Sequence, residues 1–392
     1  MLTIPRELLQ KLISLPSVNP MGGPDTGEIY YEMRVADFLI SWSKELGIEP
    51  ILQPVAEGRT NVILLWRNPH RPDADVLLLD AHQDTVPVDG MTVPPFEPAI
   101  RDGRMYGRGA CDVKGGLAAM LAAFAHLVLL CPKSAPSVML SCTVDEEAGG
   151  TGMLALTQWL DSDDLPCPRP VAAVIAEPTE LDVIVTHRGV VRWRIATRGV
   201  ACHSSTPEQG ENAIYRMARV VSRLEDYAQS LPVRKPAHPK CGPATLSVGR
   251  IGGGESVNIV PDHCWIEVDR RLIPGETAEA ARQEVIAELE SLPFPIEHEE
   301  PWIQSVPLPD DTNGPLADQL LQVIEEVAGP HQPIGVAFGT HASRTALIGI
   351  PSVVFGPGNI AEAHTKDEWI DLKQLDQAAE ILYQFCKSFK NS

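Results

Sequence analysis

His82, Asp112, Glu147, Glu177 and His364 each stand where a short apolar run ends, in the segments AHQDTVP, GRGACDVKGG, TVDEEAGGTG, IAEPTE and AEAH. Imidazole and carboxylate donors without a thiolate suit zinc, with cobalt or manganese as substitutes. In an open α/β sheet, side chains carried beyond the carboxyl ends of several strands meet in one crevice although they are far apart in sequence. The five residues therefore read as one metal site. Its three carboxylates are better balanced by two divalent cations and one further anion than by a single cation, and ions ~3.5–4 Å apart could share Asp112.

Neighbouring residues extend the chemistry. Asp84 lies two positions after His82, and in extended chain such residues point the same way, so it could accept the other imidazole N–H and fix the tautomer. Glu146 adjoins Glu147 on a glycine-rich loop where adjacent side chains diverge. One acid can then hold metal while the other acts as a general base. Taken singly, each has a plainer reading: a surface His-x-Asp loop, a helix-capping Asp112, a solvated acidic turn. Their combination favours the site.

The elements that must position these residues are legible in the apolar pattern. IPRELLQKLISLP and then Val35, Phe38, Leu39, Trp42 and Leu46 have helical spacing. The runs at 61–66, 76–81, 137–144 and 171–176 read as strands, the second apolar on both faces as a buried parallel strand should be. Leu117 to Leu130 reads as a buried helix, too short for the ~20 residues that span a bilayer. Strands alternating with helices imply a mostly parallel sheet.

After residue 187 the texture changes. VRWRIAT alternates apolar and charged residues, and the order strand, helix, two strands, helix fits a small split-βαβ layout. The Pro-rich stretch 231–243 reads as a loop within it. Successive ligands from His82 to Glu177 are about one βα unit apart, whereas His364 follows only after a much longer interval. The expected organisation is one domain over 1–188 and 303–392, with an insertion over 189–302.

A formal net charge of −20 argues against a nucleic-acid surface or an anionic membrane as partner. The eight cysteines form no Cys-x-x-Cys pair, and the start of the sequence lacks a basic, apolar signal pattern. These features lead to the expectation of a cytoplasmic protein with reduced thiols.

The ordered segments HQDTVP, GRGACDVKGG, DEEAGGTG, IAEPTE, HRG, CHSSTPEQGENAI, SVNIVPD, DRRL, FGTHASR, VVFGPG and AEAHTKDE resemble the acetylornithine deacetylase and succinyl-diaminopimelate desuccinylase family, within the co-catalytic zinc aminoacylases and carboxypeptidases. The resemblance implies an α/β zinc-peptidase-like catalytic domain with a mostly parallel sheet and an inserted α+β, ferredoxin-like lid and dimerisation domain. It implies that His82, Asp112 and Glu177 bind one metal and Asp112, Glu147 and His364 the other. Glu146 would be the general base and Asp84 the acid orienting His82. His203 would stabilise the oxyanion from the partner subunit of a homodimer, and Asn258 and Arg271 would contact substrate.

Arg344, like Arg271, is a candidate for gripping a substrate carboxylate, since guanidinium forks bind such groups in bidentate fashion. Arg271 could instead pair with Asp269 or Glu267 on its own strand. One departure stands out: where relatives commonly carry Asp, this chain has His341 in FGTHASR. The leading expectation is an amidohydrolase that removes an N-acyl group, acetyl or succinyl in type, from an amino acid. An aminopeptidase or dipeptidase taking a short peptide is the alternative, and a non-catalytic metal- or ligand-binding scaffold is a third reading.

Overall fold

A computed structural model of the chain describes residues 4–23 and 27–391. It divides into two compact units, Met1–Val185 with Asp310–Ile334 and Thr340–Ser392, and Thr186–Pro309 with Gly335–Gly339.

The first unit is built on an eight-stranded sheet with the order Ile51–Ala56, Arg59–Trp66, Ser137–Thr143, Val76–His82, Pro170–Ile175, Ser352–Val354, Val183–His187, Pro333–Val336. The Val76–His82 strand runs parallel to both its neighbours, and Pro170–Ile175 runs parallel to Ser352–Val354. The paired strands toward Ile51–Ala56 are antiparallel. Val76–His82 and Ser137–Thr143 are buried along their whole length, as strands covered on both faces must be. Lys114–Leu130 is apolar all round and packs against Pro5–Ile13 and Leu372–Ser388, so it lies inside the core rather than on its surface.

Pro at the start of Pro5–Ile13 costs no hydrogen bond, because the first N–H groups of a helix have no intrahelical partner. Leu8, Leu9, Leu12 and Ile13 then form its buried stripe. The Leu372–Ser388 helix is capped by Asp371, whose carboxylate accepts from the Lys373 and Gln374 N–H groups.

In the second unit, Gly189–Arg198 pairs antiparallel with His263–Leu272 over its full length. Val191, Trp193 and Ile195 face a core shared with Met217, Leu224 and Val285, from the helices Ala213–Arg234 and Ala278–Leu289. On the other face Arg192 and Arg194 meet their cross-strand partners Asp269 and Glu267 at 2.6 and 2.8 Å. The strand order Thr245–Gly253, His263–Leu272, Gly189–Arg198, Ile296–His298 is the antiparallel sheet of a split-βαβ unit. One expectation is corrected here. The segment 231–243 is not loop throughout, because the helix continues past Pro232 to Arg234, held by the fully buried Leu231.

Candidate metal centre

His82 is the last residue of its strand, and the strands on either side lead directly to Glu146 and Glu147 and to Glu177. Asp112 enters from the loop before Lys114–Leu130, and His364 follows the short turn Ile360–Glu362. The loop carrying Asp112 needs Gly109, which has φ +82° and where a Cβ would lie 2.8 Å from the Thr85 methyl.

The structure brings four of the five expected ligands into direct contact. His82 Nε2 lies 3.1 Å from Asp112 Oδ1, and His364 Nε2 lies 3.2 Å from Asp112 Oδ2 and 3.2 Å from Glu147 Oε2. Asp112 thus presents one oxygen to each imidazole, the arrangement of a bridging carboxylate. Donor atoms of His82, Asp112 and Glu147 all lie within 4.8 Å of one another. Glu177 is buried, only 6 % exposed, and is repelled by the carboxylates of Asp112, Glu146 and Glu147.

The electrostatics show what this cluster lacks within the chain. Burial, and then the charge of Asp112, push Glu147 up to about 8. Burial and repulsion from Asp112 and Glu146 push Glu177 well above the usual carboxylate range. Glu147 Oε1 is buried without a hydrogen-bond partner among the described residues. Crowded acids of this kind are costly unless paired or metal-bound. Divalent cations fit the donor set, which offers two imidazoles, a carboxylate between them and two further carboxylates.

Asp84 meets His82 through its main chain as well as its carboxylate. His82 Nδ1 lies 3.0 Å from the Asp84 carbonyl oxygen and 3.5 Å from its carboxylate, so the main chain makes the shorter contact. The carboxylate also accepts the backbone N–H groups of Glu146 and Glu147 at 3.0 and 3.1 Å and the Asn19 amide at 2.9 Å. Burial would raise its pKa, but His82 and these donors hold it at about 2. Asn19 bridges onward to Asp145, which is paired with Arg59 at 2.5 Å.

Sequence reasoning missed Asn19, Arg59, Asp145 and, above all, Glu368. The buried Glu368 carboxylate accepts from the backbone N–H groups of Gly109, Cys111 and Asp112 and from Arg108 at 2.7 Å. It is the cradle of the Asp112 loop. Its place in HTKDE, just after His364, was the available signal. Cys111 turns away from the ligands and donates through Sγ to the Asn359 carbonyl at 3.2 Å.

Three expected site residues belong to the second unit. His203 is exposed, with Nδ1 2.7 Å from Ser205 Oγ. Asn258 is exposed beside it, since its carbonyl accepts the Ser204 N–H. Arg271 is paired with Asp269 at 2.7 Å, the alternative its own strand offered. Arg344, in the first unit on the helix Ala342–Leu347, is half-buried, and burial lowers its pKa. A surface cavity of about 1280 Å³ in the first unit, lined by residues including Arg71, Asp75, Gln319, Lys387 and Lys390, contains none of the expected ligands.

Residues 78–388 match peptidase family M20/M25/M40. The chain belongs to that family. This M20 protein is 31% identical over 397 residues to an acetylornithine deacetylase of Photorhabdus laumondii, covering 98% of this chain and 96% of the relative. It is 31% identical over 312 residues to an acetylornithine deacetylase of Myxococcus xanthus, covering 78% of each. Among solved structures, an M20 family metallo-carboxypeptidase of Sulfolobus solfataricus aligns with a TM-score of 0.78 at 18% identity, over 98% of both chains. A dinuclear metal-binding M20 peptidase of Bacillus subtilis aligns with a TM-score of 0.70 at 16% identity, over 98% of this chain and 96% of that one. At such identities the structural likeness speaks for the fold: a mostly parallel α/β sheet with a separate antiparallel unit. The M20 family is one of metallohydrolases, and among the described residues no helix is long and apolar enough to cross a membrane.

Proposed function

We propose that this M20 protein is a dinuclear metal-dependent amidohydrolase that removes an acetyl- or succinyl-type group from the nitrogen of an amino acid. The observation that carries the reading is the Asp112 carboxylate held between the His82 and His364 imidazoles, with Glu147 on the second of them. In this assignment His82, Asp112 and Glu177 hold one ion and Asp112, Glu147 and His364 the other. Zinc is the proposed metal, with cobalt or manganese able to replace it. Such ions supply Lewis acidity toward a carbonyl oxygen and toward water.

The remaining steps fall to the chain's own groups. Glu146, fixed through its backbone N–H by Asp84, takes a proton from water as the water oxygen bonds to the amide carbon. It then delivers that proton to the departing nitrogen as the C–N bond breaks, leaving a carboxylic acid and an amine. His203 is assigned to the negative charge that develops on the carbonyl oxygen. Asn258, Arg271 and Arg344 are assigned to the substrate, the two arginines through a carboxylate. The same reading takes 189–302 as a lid and dimerisation domain in a cytoplasmic homodimer.

The near-full-length relatives named as deacetylases favour an acyl substrate, whereas structural neighbours named as an aminopeptidase and a tripeptidase favour the alternative of an aminopeptidase or dipeptidase. A panel of N-acetylornithine, N-succinyl-diaminopimelate and short dipeptides, assayed on zinc- and cobalt-reconstituted protein, separates them. Turnover of an acylated amino acid is expected; turnover of dipeptides alone would reject the acylase assignment. Sedimentation tests the dimer. Mixing His203→Ala with Glu146→Gln protein tests whether His203 acts across it, activity recovered on subunit exchange being the expected result.

A further inference from the structure

Asp145, the residue before Glu146 and Glu147, has φ +63°. Residues other than glycine adopt this left-handed conformation rarely, and mainly when a short polar side chain is hydrogen-bonded close by. Each polar atom of Asp145 is engaged. Oδ1 accepts from Asn19 Nδ2 at 3.0 Å and meets Arg59 Nη1 at 2.5 Å, while Oδ2 accepts from Thr151 Oγ1 at 2.6 Å. The main-chain N–H donates to Glu32 Oε1 at 3.2 Å, and the carbonyl accepts the Gly150 N–H at 2.5 Å. Gly149 makes room for the carboxylate, since a Cβ there would strike Asp145 Oδ2.

Asn19 joins this turn to Asp84. It is buried, its main-chain N–H donates to the Thr85 carbonyl at 2.8 Å, and its Oδ1 accepts the Met21 N–H at 3.0 Å. With the oxygen so occupied, the amide nitrogen faces the acids. It gives one hydrogen to Asp84 Oδ2 at 2.9 Å and the other to Asp145 Oδ1 at 3.0 Å. Asp84 in turn holds the N–H groups of Glu146 and Glu147. The turn is thus fixed by its side chain at 145 and by its main chain at 146 and 147, and one neutral amide ties the two anchors together. Two buried carboxylates around one nitrogen would repel each other without a donor between them.

We propose that Asn19 is a positioning residue for the metal-binding turn: by holding Asp84 and Asp145 on one amide, it sets the direction from which Glu147 reaches His364 and Asp112 and from which Glu146 reaches the water. Thr151, at the exposed start of the helix Thr151–Leu160, supports the same turn from its far side. The inference rests on the assignment of Glu147 as a metal ligand.

Zinc binding to the full-length protein, titrated against a competing chelator, is the test, with kcat on the panel substrate turned over fastest measured beside it. Wild-type protein is expected to take two equivalents, and Glu147→Ala to lose one of them. N19A is expected to weaken that same equivalent, and to lower kcat at saturating zinc, by about 10–100-fold, the range seen when the outer partners of metal ligands are removed. The other equivalent is expected to stay nearly unchanged. N19D keeps the shape of the side chain but replaces the donor by an acceptor. It is expected to bind zinc more weakly than N19A, the reverse of the order that lost packing alone would give. T151V is expected to weaken the same equivalent to a smaller extent, and T151S, which keeps the hydroxyl, to restore it.

Wild-type zinc affinity in both N19A and T151V, equal weakening of the two equivalents alongside a lower melting temperature, or N19D milder than N19A would each overturn the proposal. If the Asn19 variants fail to fold, the pair T151V and T151S decides by the same criteria. A wild-type protein that takes fewer than two equivalents, or a Glu147→Ala protein that retains both, would instead remove the dinuclear reading itself and the inference with it.

Discussion

At the scale of single residues, the centre is a balance between buried acids and the charge that must offset them. Glu146→Gln keeps the shape of the side chain and removes its ability to take a proton. It is expected to retain both metals and to lose turnover by roughly 10²–10⁴-fold, the range that general acid–base groups contribute. Metal analysis beside steady-state kinetics checks this, and near-normal turnover would refute the role. Stripping the ions with a chelator leaves Glu147 and Glu177 uncompensated. The metal-free protein is expected to be inactive and to melt at a lower temperature, both effects reversing when zinc or cobalt is restored. An unchanged melting curve would show that the acids do not depend on cations.

The expected ligand side chains were picked out because their types are unusual just after apolar runs; in the fold His82, Glu147 and Glu177 stand at or just after strand ends, whereas Asp112 and His364 come from loops. Glu177 stands slightly apart in contact terms from the other four, which spacing alone could not show. Asn19 and Arg59 were illegible for a physical reason: they act through Asp84 and Asp145, and a buried hydrogen-bonding residue has no periodicity to reveal it. The departure at His341 was visible, but its link to Asp80 was not, since the two residues meet only in the folded sheet.

At the scale of elements, the strands and helices bearing the site were read almost to their ends, because buried parallel strands and a helix apolar all round leave strong signals. The short strands Ala99–Arg101, Arg104–Tyr106 and Trp369–Asp371 were missed, since three residues are too few to alternate recognisably. The loop holding Asp112 depends on Glu368 as well as on its own sequence. Glu368→Ala removes the acceptor of three backbone N–H groups and strands the buried Arg108. A loss of about 3–5 kcal/mol of stability is expected, as when one partner of a buried pair is removed, along with weaker metal binding. Denaturant titration and metal titration check the two effects.

His298 gives the antiparallel unit a dependence on pH. Its Nδ1 accepts from Trp193 Nε1 at 3.3 Å, and burial, with Arg282 nearby, holds its pKa at about 4. The unfolded chain binds that proton near pH 6.5, so between those values the unfolded state carries more protons than the folded one. The stabilisation is therefore fully present above about 6.5 and is lost as pH falls toward 4. His298→Asn keeps an acceptor and cannot titrate. It is expected to flatten the fall in melting temperature over that interval, and parallel slopes in the two proteins would exclude the effect.

At the scale of the whole molecule, a net charge of −20 repels itself. Raising sodium chloride from about 10 to 150 mM shortens the screening length from roughly 30 to 8 Å. The melting temperature is expected to rise over that range, and a steady fall would mean that the cross-strand ion pairs of the antiparallel unit outweigh the repulsion.

The cradle around Asp112 also bears on how the protein comes into being. Both the second imidazole and the carboxylate that shapes the Asp112 loop lie more than 250 residues after the loop itself. A nascent chain emerging from the ribosome can assemble His82, Asp112, Glu147 and Glu177 long before His364 and Glu368 exist. Capture of divalent cations in their final geometry therefore waits for the synthesis of His364 and Glu368, and a chain arrested ahead of Glu368 is expected to be a poor competitor for such ions.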